Sequence, residues 1–187
     1  MTDSAKIEEL LSKALNSQTA RPLHRVLFNL ADCYNQAAEL SLGKLSTTGN
    51  ADFAAPAIMC RSFSIELLLK FFIAARHPGA SSKSDLDALG INLHGHPYSV
   101  LFDRIVDPLK ESIAQTYSER SGTTTSAADF RDILISLGDK PFVDWRYVYE
   151  SSGAKHLNIA LLSVVVASLG LAAETEVKKV AAEAPAS

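Results

Sequence analysis

The segment RSFSIELLLKFFIA, residues 61–74, decides the fold because it is the best-defined helical pattern in the chain. Ile65, Leu68, Leu69 and Phe72 recur at the three- and four-residue spacing of one helix face. Further leucine and phenylalanine side chains fill the neighbouring faces. A helix that is apolar nearly all round is usually buried. The segment therefore predicts a central helix packed among other helices.

Two charged residues interrupt this apolar segment. Glu66 and Lys70 are spaced i, i+4 with the glutamate first, which is the favourable orientation for an ion pair on a helix. Burying such charges without partners is costly, because each loses its hydration. We therefore expect either a structural polar network inside the bundle or a ligand-binding or catalytic cleft.

Helical patterns flank this segment on both sides. Hydrophobic spacing and capping residues predict further helices over about residues 3–15, 22–43, 97–119, 127–137 and 154–175. Pro108 is expected to kink or interrupt the fourth of the six helices. No series of alternating strands is apparent. The predicted fold class is all-α, an up-and-down bundle of five or six helices, with one domain over 1–175 and a disordered tail over 176–187.

Composition excludes several classes of protein. The net charge of −3 and the pI of about 5.9 argue against a strongly basic nucleic-acid binder, although a local basic cleft stays open. Cys33 and Cys60 lie in apolar helical patterns and are predicted to be buried free thiols. The polar N-terminus is unlike a signal peptide, and the apolar run over 157–173 is short for a membrane span. We therefore expect a cytoplasmic protein with a buried final helix and no membrane contact.

Motifs for cofactors and metals are weak. His94 and His96 stand at a spacing that could ligate a metal, but no nearby carboxylate or cysteine completes a ligand set. Capping of the fourth helix or contact with a carboxylate accounts for them equally well. The chain has no phosphate-binding glycine-rich loop and no serine in a nucleophile-elbow motif. We therefore predict no metal and no cofactor.

The stretch VDWRYVYE, residues 143–150, concentrates aromatic and charged residues, including the only tryptophan. Val143, Trp145, Tyr147 and Tyr149 alternate as in a half-buried strand. Arg146 and Glu150 are also spaced as a helical pair. Because no partner strands are evident, we interpret the stretch as a short irregular or extended entry into the last helix.

Three blocks in this order resemble the HEPN superfamily of helical domains. They are IELLLK at 65–70, GHPYSVLF at 95–102 and FVDWRYVYE at 142–150. The resemblance implies metal-independent RNA cleavage or non-catalytic binding of RNA or nucleotides. Ribonuclease members carry an arginine followed four to six residues later by a histidine. Here Arg146 precedes His156 by ten positions, so that motif is absent as written.

The resemblance favours a non-catalytic module that binds RNA or a nucleotide, or that assembles with partners in a defence or toxin–antitoxin system. Its expected site is a polar cleft with aromatic neighbours, built from Glu66, Lys70, His96, Trp145, Arg146, Tyr147, Tyr149 and Glu150. Arginine would contact a phosphate or pair with a glutamate, and an aromatic ring would stack on a base. Two alternatives are a ribonuclease that uses Arg146 and His156 and a purely structural network. The resemblance, with the apolar final helix around Val164–Val166, also implies a homodimer; a protein partner is a further alternative.

Overall fold

The computed structural model describes residues 3–19, 21–146 and 157–183. Throughout these ranges the regular structure is helical, which confirms the all-α prediction. The long helices are α1 (Asp3–Thr19), α2 (Leu23–Thr48), α3 (Ala54–Ala74), α6 (Asp107–Ser121) and α9 (Ile159–Glu183). The shorter helices are α4 (Lys83–Ala88), α5 (Tyr98–Asp103), α7 (Ala127–Ser136) and α8 (Pro141–Arg146), and a 3₁₀ turn over Ala51–Phe53 precedes α3.

Helix α3 is the centre of the bundle. Fourteen of its 21 residues are buried, so its apolar composition on every face is matched by neighbours on every side. Helices α2, α5, α8 and α9 all pack against it. Because its buried residues include Arg61 and Glu66, the bundle needs polar partners at its centre.

Helix α9 closes the bundle against α3 and α6. Leu162, Val165 and Leu169 are fully buried within the chain. The segment Ile159–Ala182 is also long and apolar enough to cross a bilayer, although 44% of its most apolar window is buried inside the protein. The valine run that suggested a dimer surface is instead largely covered by the same chain, since Val165 and Val166 are buried.

Two predicted boundaries were wrong, and one predicted interruption was confirmed. Helix α2 continues through Gly43 and ends at Gly49, whose φ of 67° is the left-handed conformation that stops a helix. The interruption predicted at Pro108 is confirmed, because the segment 97–119 holds two helices, α5 and α6, and Pro108 lies in the first turn of α6. Helix α9 continues to Glu183, so residues 176–183 are helical rather than part of a tail. Cys33, predicted to be buried, is exposed, and Cys60 is partly buried.

The prediction for residues 143–150 also needs correction. Residues 143–146 belong to α8, a helix that begins at Pro141, rather than to an extended segment. Proline is favourable in a first helical turn, and α8 packs along α3. The alternation of side chains therefore does not indicate a strand over 143–146. Residues 147–150 lie outside the described ranges.

Helix α1 stands apart from the bundle. Its predicted apolar stripe includes Ile7, Leu10 and Leu11, and all three side chains are more than half exposed. In the described part of the chain, α1 makes no substantial contact with another element. The helix is thus amphipathic without a partner for its apolar side.

Candidate functional site

Glu66 is the buried centre of the candidate site. Its carboxylate is 1% exposed, and its Oε1 accepts a hydrogen bond from Lys70 Nζ at 2.8 Å. Its Oε2 lies 3.0 Å from His96 Nδ1. Lys70 is 17% exposed and His96 is 52% exposed. Solvent exposure therefore increases from the Glu66 carboxylate through Lys70 to the ring of His96. The structure therefore brings together the three predicted residues Glu66, Lys70 and His96.

Tyr98 positions His96 over the carboxylate. Its side chain is fully buried, and its hydroxyl donates to the Ser62 carbonyl of α3 at 2.6 Å. Burial raises the pKa of Tyr98 well above its ordinary value, which keeps this donor protonated. The Asp139 carboxylate accepts from the Ser99 backbone amide at 2.7 Å, at the start of α5. The chain just after His96 is thus fastened to both α3 and the loop before α8.

Arg104 holds the first half of the connector between α4 and α5, which spans residues 89–97. Its Nη1 donates to the carbonyls of Asn92 and His94 at 3.2 and 2.5 Å. Leu93, between them, is buried in the core. The connector over 89–97 has no regular secondary structure beyond its initial turn, and these contacts give it a defined path.

An aromatic cluster borders the site. Phe142 of α8 stacks on Phe63 of α3, with ring centroids 4.3 Å apart. The ring of His96 lies 6.3 Å from that of Phe142, and Tyr34 of α2 meets Phe63 edge-on at 4.7 Å. Stacked and edge-to-face rings at these distances add to simple apolar burial. Through this cluster, α8 sits beside His96.

The arrangement assigns different chemistry to each group. Both oxygens of Glu66 are engaged, so the carboxylate orients other groups rather than facing a ligand. The protonated ring of His96 would donate from Nδ1 to Glu66 and leave its Nε2–H to donate to an outside anion, whereas the neutral ring with its proton on Nδ1 would leave Nε2 only as an acceptor. No group of three or more histidine, cysteine or acidic residues that could hold a metal occurs in the described ranges. The geometry therefore suits contact with a polar or anionic ligand through His96.

Comparison of the chain with protein-family models, curated proteins and solved structures found no match in any of the three. The resemblance to HEPN domains accordingly stays a prediction. A function for this chain must therefore be inferred from the geometry of the site.

The remaining predicted residues divide into two groups. Trp145 is half-buried against the core and Arg146 is exposed, both on α8. Tyr147, Tyr149, Glu150 and His156 lie outside the described residues. The pairing of Arg146 with His156 that the ribonuclease alternative needs is therefore untested by this structure.

Sequence reasoning missed the residues that support the site. Phe63 and Phe142 form its aromatic wall, and Tyr98 anchors its connector. Arg61 is also buried, and it donates to Ser163 at 2.6 Å and to Glu39. In the sequence, the one sign that Tyr98 supports the site is its position two residues after His96. Its partner, the Ser62 carbonyl, is evident only in the folded structure.

Proposed function

We propose that this protein is a non-catalytic, HEPN-like helical module that binds RNA or a nucleotide. Lys70 and His96 contact the Glu66 carboxylate and can attract a phosphate, and the ring of Phe142 lies beside His96. Trp145 and Arg146 belong to the same short helix as Phe142 and would add a ring and a cation. Cationic groups beside aromatic rings are the usual means of binding single-stranded nucleic acid without strict sequence preference. The engaged state of Glu66 favours binding over acid–base chemistry by that carboxylate.

The half-exposed ring of His96, held by a buried carboxylate, carries this proposal. Glu66 and Tyr98 fix the position of the connector by hydrogen bonds. The Glu66 contact requires a buried carboxylate, whose loss of hydration costs free energy. A surface loop with no role outside the fold does not need such an anchor. A purely structural network would be served by the Glu66–Lys70 pair alone, since that pair already satisfies the buried charge. The added histidine, more than half exposed, supports a contact with something outside the chain.

The test is the affinity for a fluorescein-labelled single-stranded RNA, measured by fluorescence anisotropy. His96→Asn keeps a nitrogen donor near the Nδ1 position but removes the ring and Nε2. We expect its affinity to fall about tenfold, the loss of one charge-assisted hydrogen bond. His94→Asn is the matched control, because His94 is exposed and its side chain makes no bond in the described structure.

Equal affinity in the two variants would overturn the proposed role of His96. The same samples, incubated without metal and run on a denaturing gel, test the non-catalytic part of the proposal. Cleavage of the RNA that disappears in both Arg146→Ala and His156→Ala would replace it with the ribonuclease alternative.

A second function, assembly with other protein chains, is favoured by α1. Its exposed apolar stripe at Ile7, Leu10 and Leu11 is unexplained by packing within the described chain. Contiguous exposed apolar surface of this kind usually serves an interface. Binding and assembly are compatible, because α1 and the His96 site use different elements.

A further inference from the structure

A second concave surface lies where α3 ends and the connector begins. It encloses about 310 Å³ and is lined by Phe72, Arg76, His77, Ile91, Arg104 and Val106, among others. This volume is at the lower end of the range typical of small-molecule sites. We call it the Arg76 groove. It shares the connector with the His96 site but none of the site residues predicted from the sequence.

The charge in this groove is positive. Arg76 is exposed and makes no hydrogen bond or ion pair within the described ranges. Arg104 Nη1 donates to the connector carbonyls. No carboxylate lines the groove beside Arg104, so its positive charge is not neutralised there. The lining of the groove, as far as the structure describes it, includes no acidic residue. Arg76, Arg104 and His77 therefore line a common space.

The adjoining surface adds one positive and one negative side chain. A neighbouring groove of about 360 Å³ shares Arg76 and Val106 and adds Lys179 of α9. It also contains Glu176, which is 6% exposed. No ion pair joins Arg76 to Glu176 in the described structure, so the donors of Arg76 are not bound to this carboxylate.

The floor of the Arg76 groove is apolar. Phe72 is buried, and Ile91 and Val106 present aliphatic surface beside the two arginines. Guanidinium groups bind phosphate oxygens in pairs, and an apolar floor accepts a flat or aliphatic body. From this combination we propose that the Arg76 groove binds a small phosphomonoester, with the phosphate at Arg76 and Arg104 and the organic body against the floor. This inference does not rest on the proposed RNA function.

Phenyl phosphate is the probe, with inorganic phosphate and phenol as its two halves. Isothermal titration calorimetry should show phenyl phosphate binding more tightly than either half. Arg76→Ala should weaken it about tenfold or more, because one charge-assisted contact is lost. Arg120→Ala is the matched control, since Arg120 is also exposed and unpaired in the described chain but lies outside the groove.

Val106→Asp gives an independent test. Val106 is the residue that precedes α6 and takes the extended conformation of a helix cap, where aspartate is favoured. The variant should fold well while placing a negative charge in the groove, and it should abolish binding. Val106→Ser, a neutral cap that removes part of the apolar floor, should bind more weakly than the wild type but more tightly than Val106→Asp.

Amide chemical shifts in the full-length protein locate the site. Phenyl phosphate should perturb Gly90, Ile91 and Asn92 in the wild type, and equally in His96→Asn. The proposal is overturned if millimolar phenyl phosphate gives no saturable binding. It is also overturned if Val106→Asp and Val106→Ser bind alike, or if the perturbed amides cluster away from the connector.

Discussion

At the scale of single residues, burial rather than spacing decides what a charge contributes. Glu66–Lys70 and Lys83–Asp87 are both i, i+4 pairs, with N–O distances of 2.8 and 2.6 Å. The first includes a carboxylate removed from water, whereas both members of the second are exposed. Exposed pairs contribute little because water and salt screen them, while a buried charge without its partner is strongly destabilising.

We therefore predict a large loss of stability in Lys70→Met and a small one in Lys83→Met. The first leaves the buried Glu66 carboxylate with His96 alone, and the free energy of unfolding should fall by about 3 kcal/mol. The second breaks an exposed pair and should cost less than about 1 kcal/mol. Urea denaturation of both variants measures the difference.

A double variant sharpens this prediction. Glu66→Met with Lys70→Met removes the buried carboxylate together with its partly exposed partner, so most of the stability lost in Lys70→Met should return. Similar losses in Lys70→Met and Lys83→Met would mean that Glu66 finds other compensation in the folded chain.

His24 predicts a pH dependence of stability. It is buried, its Nδ1 has no hydrogen-bond partner among the described residues, and burial together with the nearby charge of Arg25 lowers its pKa below the ordinary 6.5. The unfolded chain therefore takes up a proton at His24 at a higher pH than the folded chain does. Its contribution to stability is complete above pH 6.5 and is lost as the pH falls toward the lowered folded value.

His24→Phe should remove this dependence, since the introduced ring does not titrate and would pack beside Phe71, whose ring lies 6.3 Å from that of His24. As the pH falls from about 7.5 to about 5, the wild type should lose the contribution of His24 and the variant should not. The unfolding free energy of the variant minus that of the wild type should therefore rise. Urea titrations at both values measure it, and contributions from the other histidines cancel in the difference. A constant difference across this range would contradict a buried, neutral His24.

At the scale of elements, long helices could be predicted and short ones could not. Periodicity needs several turns, so α2, α3 and α9 were evident, whereas α4 and α8 each span six residues. Gly43 was mistaken for the end of α2, because sequence alone does not distinguish a glycine inside a helix from one at positive φ, such as Gly49. Glu66 and Lys70 could be paired by spacing, but the contact of His96 depends on a connector whose path is set by tertiary contacts.

Helix α8 should depend mainly on the stacking of Phe142 on Phe63. Helices this short are not stable alone, and Phe142 stacks on Phe63 of α3. Phe142→Ala should cost about 2 kcal/mol, less than for a fully buried phenylalanine. Hydrogen exchange should show loss of protection in α8 while α3 keeps its own.

Ile135→Ala, at an exposed position on α7, is the control for this experiment and should leave α8 unchanged. Full protection of α8 in Phe142→Ala would show that another contact, such as that of half-buried Trp145, is sufficient to hold it.

At the scale of the whole molecule, one connector joins the two candidate binding surfaces. Its first residues line the Arg76 groove, and His96 near its end contacts Glu66. Arg104 lines the groove and also donates to two connector carbonyls. A ligand that draws Arg104 toward itself would therefore act on the same segment that positions His96.

The separation of α1 from the bundle leads to a prediction about assembly. Ile7, Leu10 and Leu11 form an exposed apolar stripe, and the triple glutamine variant at these positions removes it without opening a cavity in the core. We expect its melting temperature to equal that of the wild type. Sedimentation velocity should show that the wild type associates as its concentration rises and that the variant does so less, because burial of apolar surface drives association. Leu40→Gln, at an isolated exposed leucine on α2, should sediment like the wild type. A lower melting temperature in the triple variant would instead mean that the stripe packs on its own bundle.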